Sequence, residues 1–167
     1  MGLDVTAYSR IAKVAVENDD DGYNLGYAQA SKNDNFPGRA DEIEHNAWYS
    51  YEESCVGISR SYSGYGYWRN QLAELAGYPF DDNADESDKR GYASGAWKAT
   101  EGPFWELINF ADNEGAIGAA VSAKLAKDFA AFQAKADAHQ DQFFRGGYAD
   151  MRRAFELASN AGFVDFH

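Results

Sequence analysis

Apolar residues recur at helical spacing in the middle of the chain. Steps of three and four residues place four large side chains on one helix face: Tyr65, Trp68, Leu72 and Leu75. Ser63 carries a hydroxyl suited to an N-cap, and Gly77 followed by Pro79 is a stop signal. The pattern therefore predicts a helix over residues 63–76.

Two longer apolar stripes follow towards the end of the sequence. They comprise Ile117, Val121, Leu125, Phe129 and Phe132, and then Phe144, Tyr148, Met151, Phe155 and Ala158. Residues 139–141 interrupt the pattern, so two antiparallel helices are expected. A short buried helix with Pro103 at its first position should precede them. Asp112 and Glu114 are expected to flank the start of the first long helix as capping residues.

Strand patterns occupy the rest of the chain. Leu3, Val5 and Ala7 alternate with more polar residues, which predicts an N-terminal strand. Residues 47–58 predict one or two further strands, and residues 92–99 a short strand or turn. Residues 163–166 are expected to form a last strand that pairs with the first. Together these elements predict an α+β fold, in which a small, mostly antiparallel sheet carries one central helix and a C-terminal antiparallel helix pair. The 167 residues are expected to form a single domain, 1–167.

The net charge narrows the classes of partner. Fifteen basic and 27 acidic residues give −12, which disfavours binding to nucleic acid and to anionic membranes. The excess of acid indicates either simple solubility or imitation of a nucleic acid towards a basic partner. Cys55 is the single cysteine, and neither a signal peptide nor a membrane span is recognisable. A cytoplasmic location, with no disulfide and no metal or other cofactor, is therefore expected.

One segment, residues 54–77, has the composition of a ligand site. Hydroxyl groups, guanidinium groups and tyrosine rings gather where the predicted central helix begins, and a helix N-terminus favours an anion. Arginine suits a phosphate or carboxylate, and aromatic rings suit a flat group. The candidate residues are Arg60, Ser61, Ser63, Tyr65 and Arg69, with Tyr49 and Tyr51 as a wall. Ordinary helix capping and core packing remain the competing interpretation, because no Walker or dinucleotide glycine motif accompanies them.

Catalytic signatures are absent from the sequence. The three histidines are scattered, and Cys55 has no neighbouring base, so an active-site thiol is disfavoured against a small core residue. If the protein is nevertheless an enzyme acting on a nucleotide, its metal or base residues are expected among Glu52, Asp112 and Glu114.

Several longer motifs resemble a family of small proteins encoded in bacteriophages and prophages. They are M-G-L-D-V-T-A-Y, F-P-G-R, S-Y-S-G-Y-G-Y-W-R-N-Q-L-A-E-L-A-G, G-P-F-W-E-L-I-N-F-A-D-N-E-G-A-I-G, A-V-S-A-K-L-A-K-D-F and V-D-F-H, and they span nearly the whole chain. The resemblance implies the cytoplasm of an infected bacterium and an accessory, host-directed role.

Three functional hypotheses follow. The first is a non-catalytic protein that sequesters a small nucleotide-derived anion, such as a host immune signal, with a homo-oligomer left open. The second is an acidic inhibitor that imitates nucleic acid towards a host defence protein, using the Asp81–Asp88 loop and Asp19–Asp21. The third is the nucleotide-directed enzyme.

Overall fold

The computed structural model describes residues 2–15, 26–84, 90–111 and 114–167. Within them the strands are β1 (Gly2–Ser9), β2 (Ala12–Val14), β3 (Ala28–Ala30), β4 (Ala47–Ser50), β5 (Glu53–Ser61), β6 (Gly115–Gly118) and β7 (Phe163–Phe166). The helices are α1 (Tyr62–Ala76), α2 (Gly91–Trp97), α3 (Trp105–Ile108), α4 (Ala119–Asp137) and α5 (Gln142–Ala158). The predicted α+β class is confirmed.

The larger sheet has the strand order β5-β1-β7-β6, with antiparallel pairing throughout. The alternation of Leu3, Val5 and Ala7 predicted the N-terminal strand, and β1 pairs with β7 as expected. Its other neighbour is β5. These three side chains are fully buried because they face the helices, where they join Val164 and Phe166 from β7 in the main core.

The helices cover that face of the larger sheet. Trp68 and Leu72 of α1 are fully buried in the same core. The long helices α4 and α5 run antiparallel, with Phe129 beside Phe155 and, near the connecting turn, His139 beside Phe144. Among the described residues, no helix combines the length and apolar content needed to cross a bilayer.

A second, three-stranded sheet packs on the opposite face. Its strand order is β2-β4-β3, again antiparallel. Phe163 of β7 is the centre of this smaller core, with the ring of Tyr8 at 5.1 Å and that of Tyr49 at 5.9 Å. Residues 47–58 are therefore two strands, and the two strands belong to different sheets.

Three local predictions need correction. Helix α1 begins one residue earlier than expected, with Ser61 rather than Ser63 as its N-cap. Residues 91–97 are helical rather than a strand or turn, because Asn70 of α1 accepts hydrogen bonds from the first backbone N–H groups of α2. Helix α3 begins after Pro103, since Phe104 adopts a left-handed backbone (φ 57°) that cannot continue a helix.

The segment before α4 is also different from the prediction. Residues 115–118 form strand β6 at the edge of the larger sheet, so Glu114 precedes a strand rather than a helix. The N-terminus of α4 is instead capped by a residue remote in sequence, because the carboxylate of Glu42 accepts from the backbone N–H of Ala120 at 2.9 Å. Asp112 lies outside the described residues.

Candidate functional site

Two of the predicted ligand residues lie inside the main core. Tyr65 is 2 % exposed and Arg69 is 3 % exposed. The Tyr65 hydroxyl donates to the carbonyl oxygen of Phe110 at 3.1 Å, and Arg69 Nη1 donates to that of Ile108 at 2.5 Å. Burial raises the pKa of Tyr65 well above its ordinary value. These polar groups therefore bind neighbouring backbone instead of facing a pocket.

The predicted hydroxyl and guanidinium groups at the start of α1 contact the protein itself. Ser61 Oγ accepts from the backbone N–H of Gly64 at 3.2 Å and lies 3.3 Å from Ser63 Oγ. Both serines are exposed, and Arg60 donates through Nη2 to the carbonyl oxygen of Phe143. This helix N-terminus is capped by its own residues.

The two tyrosines expected to form a wall lie elsewhere. Tyr49 is buried, and its hydroxyl accepts from the backbone N–H of Glu44 at 3.0 Å. Tyr51 packs on Tyr8, with 4.8 Å between the ring centroids. Both rings pack on the side of the larger sheet opposite α1, because Tyr49 lies in β4 of the smaller sheet and Tyr51 follows that strand directly. The seven candidates thus occupy three separate places and do not form one pocket.

Cavities gather instead around the connection between β3 and β4, residues 31–46, here called the 31–46 loop. The aromatic cavity, of about 440 Å³, is lined by Asn35, Phe36, Pro37, Arg39, Trp97, Trp105, Asn109 and Ala111. The small cavity, of about 200 Å³, is lined by Lys32, Asn33, Asp34, Phe36, Pro37, Gly38, Arg39, Ala40, Asp41 and Ala116. A third cavity of about 420 Å³ lies on the polar side of the loop, near His45 and Asn46.

The walls of the aromatic cavity combine large rings with amide groups. Trp97 is 55 % exposed, while Trp105 and Phe36 are half-buried. Trp105 Nε1 donates to the carbonyl oxygen of Ala99 at 2.9 Å, which fixes the indole ring. Asn109 has a buried Oδ1 with no hydrogen-bond partner among the described residues. The cavity therefore offers stacking surface together with a polar group.

Arg39 is the charged residue shared by the aromatic and small cavities. It is 7 % exposed, and it donates through Nε to the carbonyl oxygen of Glu106 at 3.0 Å and through Nη1 to that of Pro37 at 3.3 Å. Its guanidinium carbon lies 4.7 Å from the centroid of the Trp105 ring. Burial lowers the pKa of Arg39, and the nearby Glu106 charge opposes that change.

No carboxylate forms an ion pair with Arg39 in the part of the chain that the structure describes. Glu106 contacts Arg39 through its backbone, and its carboxylate lies 2.6 Å from Lys124 Nζ instead. Lys124 also pairs with Asp128 at 2.9 Å. A buried guanidinium that donates its hydrogen bonds to neutral backbone oxygens is favourably placed for an external anion.

The sequence signals for this site were weak. Residues 33–38 have the composition of an ordinary surface loop, and Trp97 and Trp105 belong to two separate short helices. Trp97, Trp105 and Asn109 come together with Arg39 only through the packing of α2 and α3 beside the loop. The motif F-P-G-R, in which a turn signal precedes an arginine, was the available hint.

The residues named for other functions are only partly described. Asp19–Asp21 and residues 85–88 of the acidic loop lie outside the described residues, as does Asp112. Glu52, one of the residues named as a metal ligand or base, forms an ion pair with Arg10 at 2.5 Å. The described residues contain no cluster of three His, Cys, Asp or Glu side chains placed to hold a metal.

Comparison with known proteins gives no relative. No protein-family model, no curated protein and no solved structure matches this chain.

Proposed function

We propose that this protein binds a small, nucleotide-derived anion in the aromatic cavity and sequesters it without catalysis. The ligand class is the one expected from the sequence, but the site differs. The 31–46 loop, α2 and α3 supply it, rather than the N-terminus of α1.

The burial of Arg39 carries this proposal. Removing a guanidinium from water is costly unless other charges or hydrogen bonds compensate it. This chain has 27 acidic residues. Glu106, whose backbone oxygen accepts from Arg39, nevertheless directs its carboxylate to Lys124. A phosphate or carboxylate of a ligand supplies the missing charge and accepts hydrogen bonds in a form that guanidinium recognises.

The size and lining of the cavity support a flat ligand. A volume of about 440 Å³ falls in the usual range for small-molecule sites. Stacking of a base on an aromatic side chain contributes about 1–3 kcal/mol per base. Trp97 is half-exposed at a cavity wall, where an unliganded indole keeps apolar surface in water. A bound base covers that surface.

The biological setting is part of the proposal. The resemblance to phage and prophage proteins supports an accessory, counter-defence role in the cytoplasm of an infected bacterium, with a host immune signal as the ligand. Sequestration requires affinity and no reacting group, and Glu52, one of the residues named for catalysis, is already engaged by Arg10.

The acidic inhibitor remains the alternative proposal, supported by the net charge of −12. The part of its expected contact surface that is described includes Asp81, which forms an ion pair with Lys98 at 2.7 Å. That carboxylate already has a cationic partner within the chain. Binding of a host protein that depends on residues 82–88, with no small-molecule binding, is the result that favours this alternative.

A ligand screen with two arginine variants tests the proposal. Cyclic dinucleotides, cyclic ADP-ribose isomers and NAD are added singly, and the melting temperature is measured. A ligand at 100 times its Kd stabilises by about 2.7 kcal/mol, which raises the melting temperature by roughly 5–10 °C in a chain of this size. Arg39→Gln is expected to abolish the increase, and the matched variant Arg60→Gln to retain it.

Two results overturn the proposal. One is the absence of binding both by every compound in the panel and by every nucleoside 5′-monophosphate. The other is an equal response of the two arginine variants, which places the ligand elsewhere. Chromatography of the recovered ligand separates binding from catalysis, because an enzyme returns a chemically altered compound.

A further inference from the structure

We infer that the ligand has two parts: a flat ring in the aromatic cavity and a phosphate that enters the small cavity between Arg39 and Lys32. This inference rests on the proposed function and extends it, since it assigns a second cationic residue and the nucleoside monophosphate unit as the recognised chemistry.

The two cavities are neighbours that share a wall. Phe36, Pro37 and Arg39 line both of them. Phe36 is held in place by Phe110, with 4.8 Å between the ring centroids. The guanidinium of Arg39 is fixed by its backbone partners and by the Trp105 ring. A ligand that stacks in the larger cavity therefore meets a positioned cation at the boundary with the smaller one.

The small cavity contributes a second cation. Lys32 is half-buried and donates through Nζ to the carbonyl oxygen of Asp41 at 3.2 Å. No carboxylate lies within ion-pair distance of Lys32 among the described residues. Its backbone N–H donates to His45 Nδ1 at 3.1 Å, which holds this part of the 31–46 loop in place. Like Arg39, Lys32 donates to a backbone oxygen and forms no ion pair among the described residues.

The small cavity also contains negative charge, which opposes the binding of a phosphate. Asp34 and Asp41 line the small cavity, and both are exposed. Solvent and salt screen exposed carboxylates more than they screen the half-buried Lys32 and the buried Arg39. A single phosphate on the cationic side is therefore favoured, whereas a chain of phosphates meets the two carboxylates. The cavity volume of about 200 Å³ likewise suits one small group.

The aromatic cavity suits the flat, uncharged part of the ligand. Its lining includes two indole rings and a phenyl ring, and the charged residue that the described part of the chain contributes to it is Arg39. A nucleoside alone gains the stacking contacts, and its 5′-monophosphate gains in addition the contacts to both cations. The phosphate should therefore determine most of the affinity difference between the two.

Calorimetric titration of matched ligand pairs tests this assignment. The four ribonucleosides and their 5′-monophosphates are titrated at low ionic strength into the wild-type protein, Lys32→Gln and the surface control Lys127→Gln. At least one monophosphate is expected to bind ten-fold or more tightly than its nucleoside. Lys32→Gln is expected to reduce that ratio to about three-fold or less while the nucleoside affinity stays unchanged, and Lys127→Gln should leave both affinities unchanged.

The outcomes separate this inference from the proposed function. Equal affinities for nucleoside and monophosphate, or an equal weakening of both by Lys32→Gln, overturn the two-part ligand and leave the aromatic cavity standing. Binding of panel compounds without binding of any monophosphate overturns the assigned unit alone. If neither the monophosphates nor the panel compounds bind, both proposals are overturned.

Discussion

Arg69 Nη1 donates a hydrogen bond of 2.5 Å to the carbonyl oxygen of Ile108, and this bond joins α1 to α3. The same guanidinium lies 5.0 Å from the centroid of the Tyr65 ring. Arg69 therefore connects two elements of the core, whereas Arg39 faces two cavities. The two buried arginines should respond differently to substitution.

Arg69→Met is expected to lower the free energy of unfolding by about 2–4 kcal/mol, because it removes the short hydrogen bond to the buried Ile108 carbonyl oxygen. That oxygen then keeps a longer bond of 3.4 Å from Trp97 Nε1. Urea denaturation measures the change. Lys127→Met, on the exposed side of α4, is the matched control and should change stability by less than about 0.5 kcal/mol. A stable Arg69→Met protein that fails to bind ligand contradicts this assignment and restores the site expected from the sequence.

The sequence predicted those elements whose buried face is specified by the spacing of their own residues. The stripe from Tyr65 to Leu75 and the alternation in residues 3–7 each specify which face is buried, so α1 and β1 follow from local spacing. Helix α2 depends instead on a side chain of α1, because Asn70 caps its first turn. No feature within residues 91–97 carries that information.

Strand β6 and the aromatic cavity were unpredictable for a similar reason. Residues 115–118 are all buried and lack polar alternation, so only their pairing with β7 distinguishes a strand from a helix start. The cavity joins Arg39 to Trp97 and Trp105, which are distant in sequence and meet through tertiary packing. Residue types alone favoured the tyrosine-rich segment, whose polar groups the fold uses for capping and core contacts.

Two glycines should respond in opposite directions to alanine. A Cβ at Gly162 lies 1.8 Å from the carbonyl oxygen of Tyr8, so Gly162→Ala requires backbone movement and should destabilise the protein by more than about 2 kcal/mol. Gly146 is exposed within α5 and a Cβ there meets no atom within 4 Å. Gly146→Ala should therefore stabilise by about 0.5–1 kcal/mol. Thermal unfolding of both variants measures these changes. A neutral Gly162→Ala contradicts the close packing on β1 of the turn between α5 and β7.

Asp141 should be the more important of two helix caps. Its Oδ1 accepts from the backbone N–H groups of Phe143 and Phe144 at 2.8 and 3.3 Å, and its Oδ2 accepts from Gln71 Nε2 at 2.9 Å. Ser61 accepts a single backbone bond at the start of α1. Asp141→Ala is expected to cost about 2 kcal/mol and Ser61→Ala about 1 kcal/mol or less in urea denaturation.

The pH dependence of stability is an independent test of the helix cap formed by Asp141. The hydrogen bond from Gln71, followed by those from the backbone, lowers the pKa of this carboxyl. A lowered folded-state pKa stabilises the protein above the unfolded-state pKa, and that stabilisation disappears as the pH falls through the folded-state value. The stability difference between the wild-type protein and Asp141→Ala should therefore shrink in acid below about pH 4. A difference that stays constant with pH contradicts a capping carboxylate.

Asp165 should give the opposite pH dependence. It lies on β7 opposite Thr6 and Ala116, and burial raises its pKa to about 7. Because the folded state then holds the proton more tightly than the unfolded state, stability is greatest below about pH 4 and decreases as the pH rises to about 7. A pKa difference of this size corresponds to a loss on the order of 4 kcal/mol. Asp165→Asn removes the titrating group, so its stability relative to wild type should increase between pH 4 and 8. The same change at exposed Asp150 controls for the loss of surface charge. An equal pH profile for the two variants contradicts a raised pKa at the half-buried Asp165.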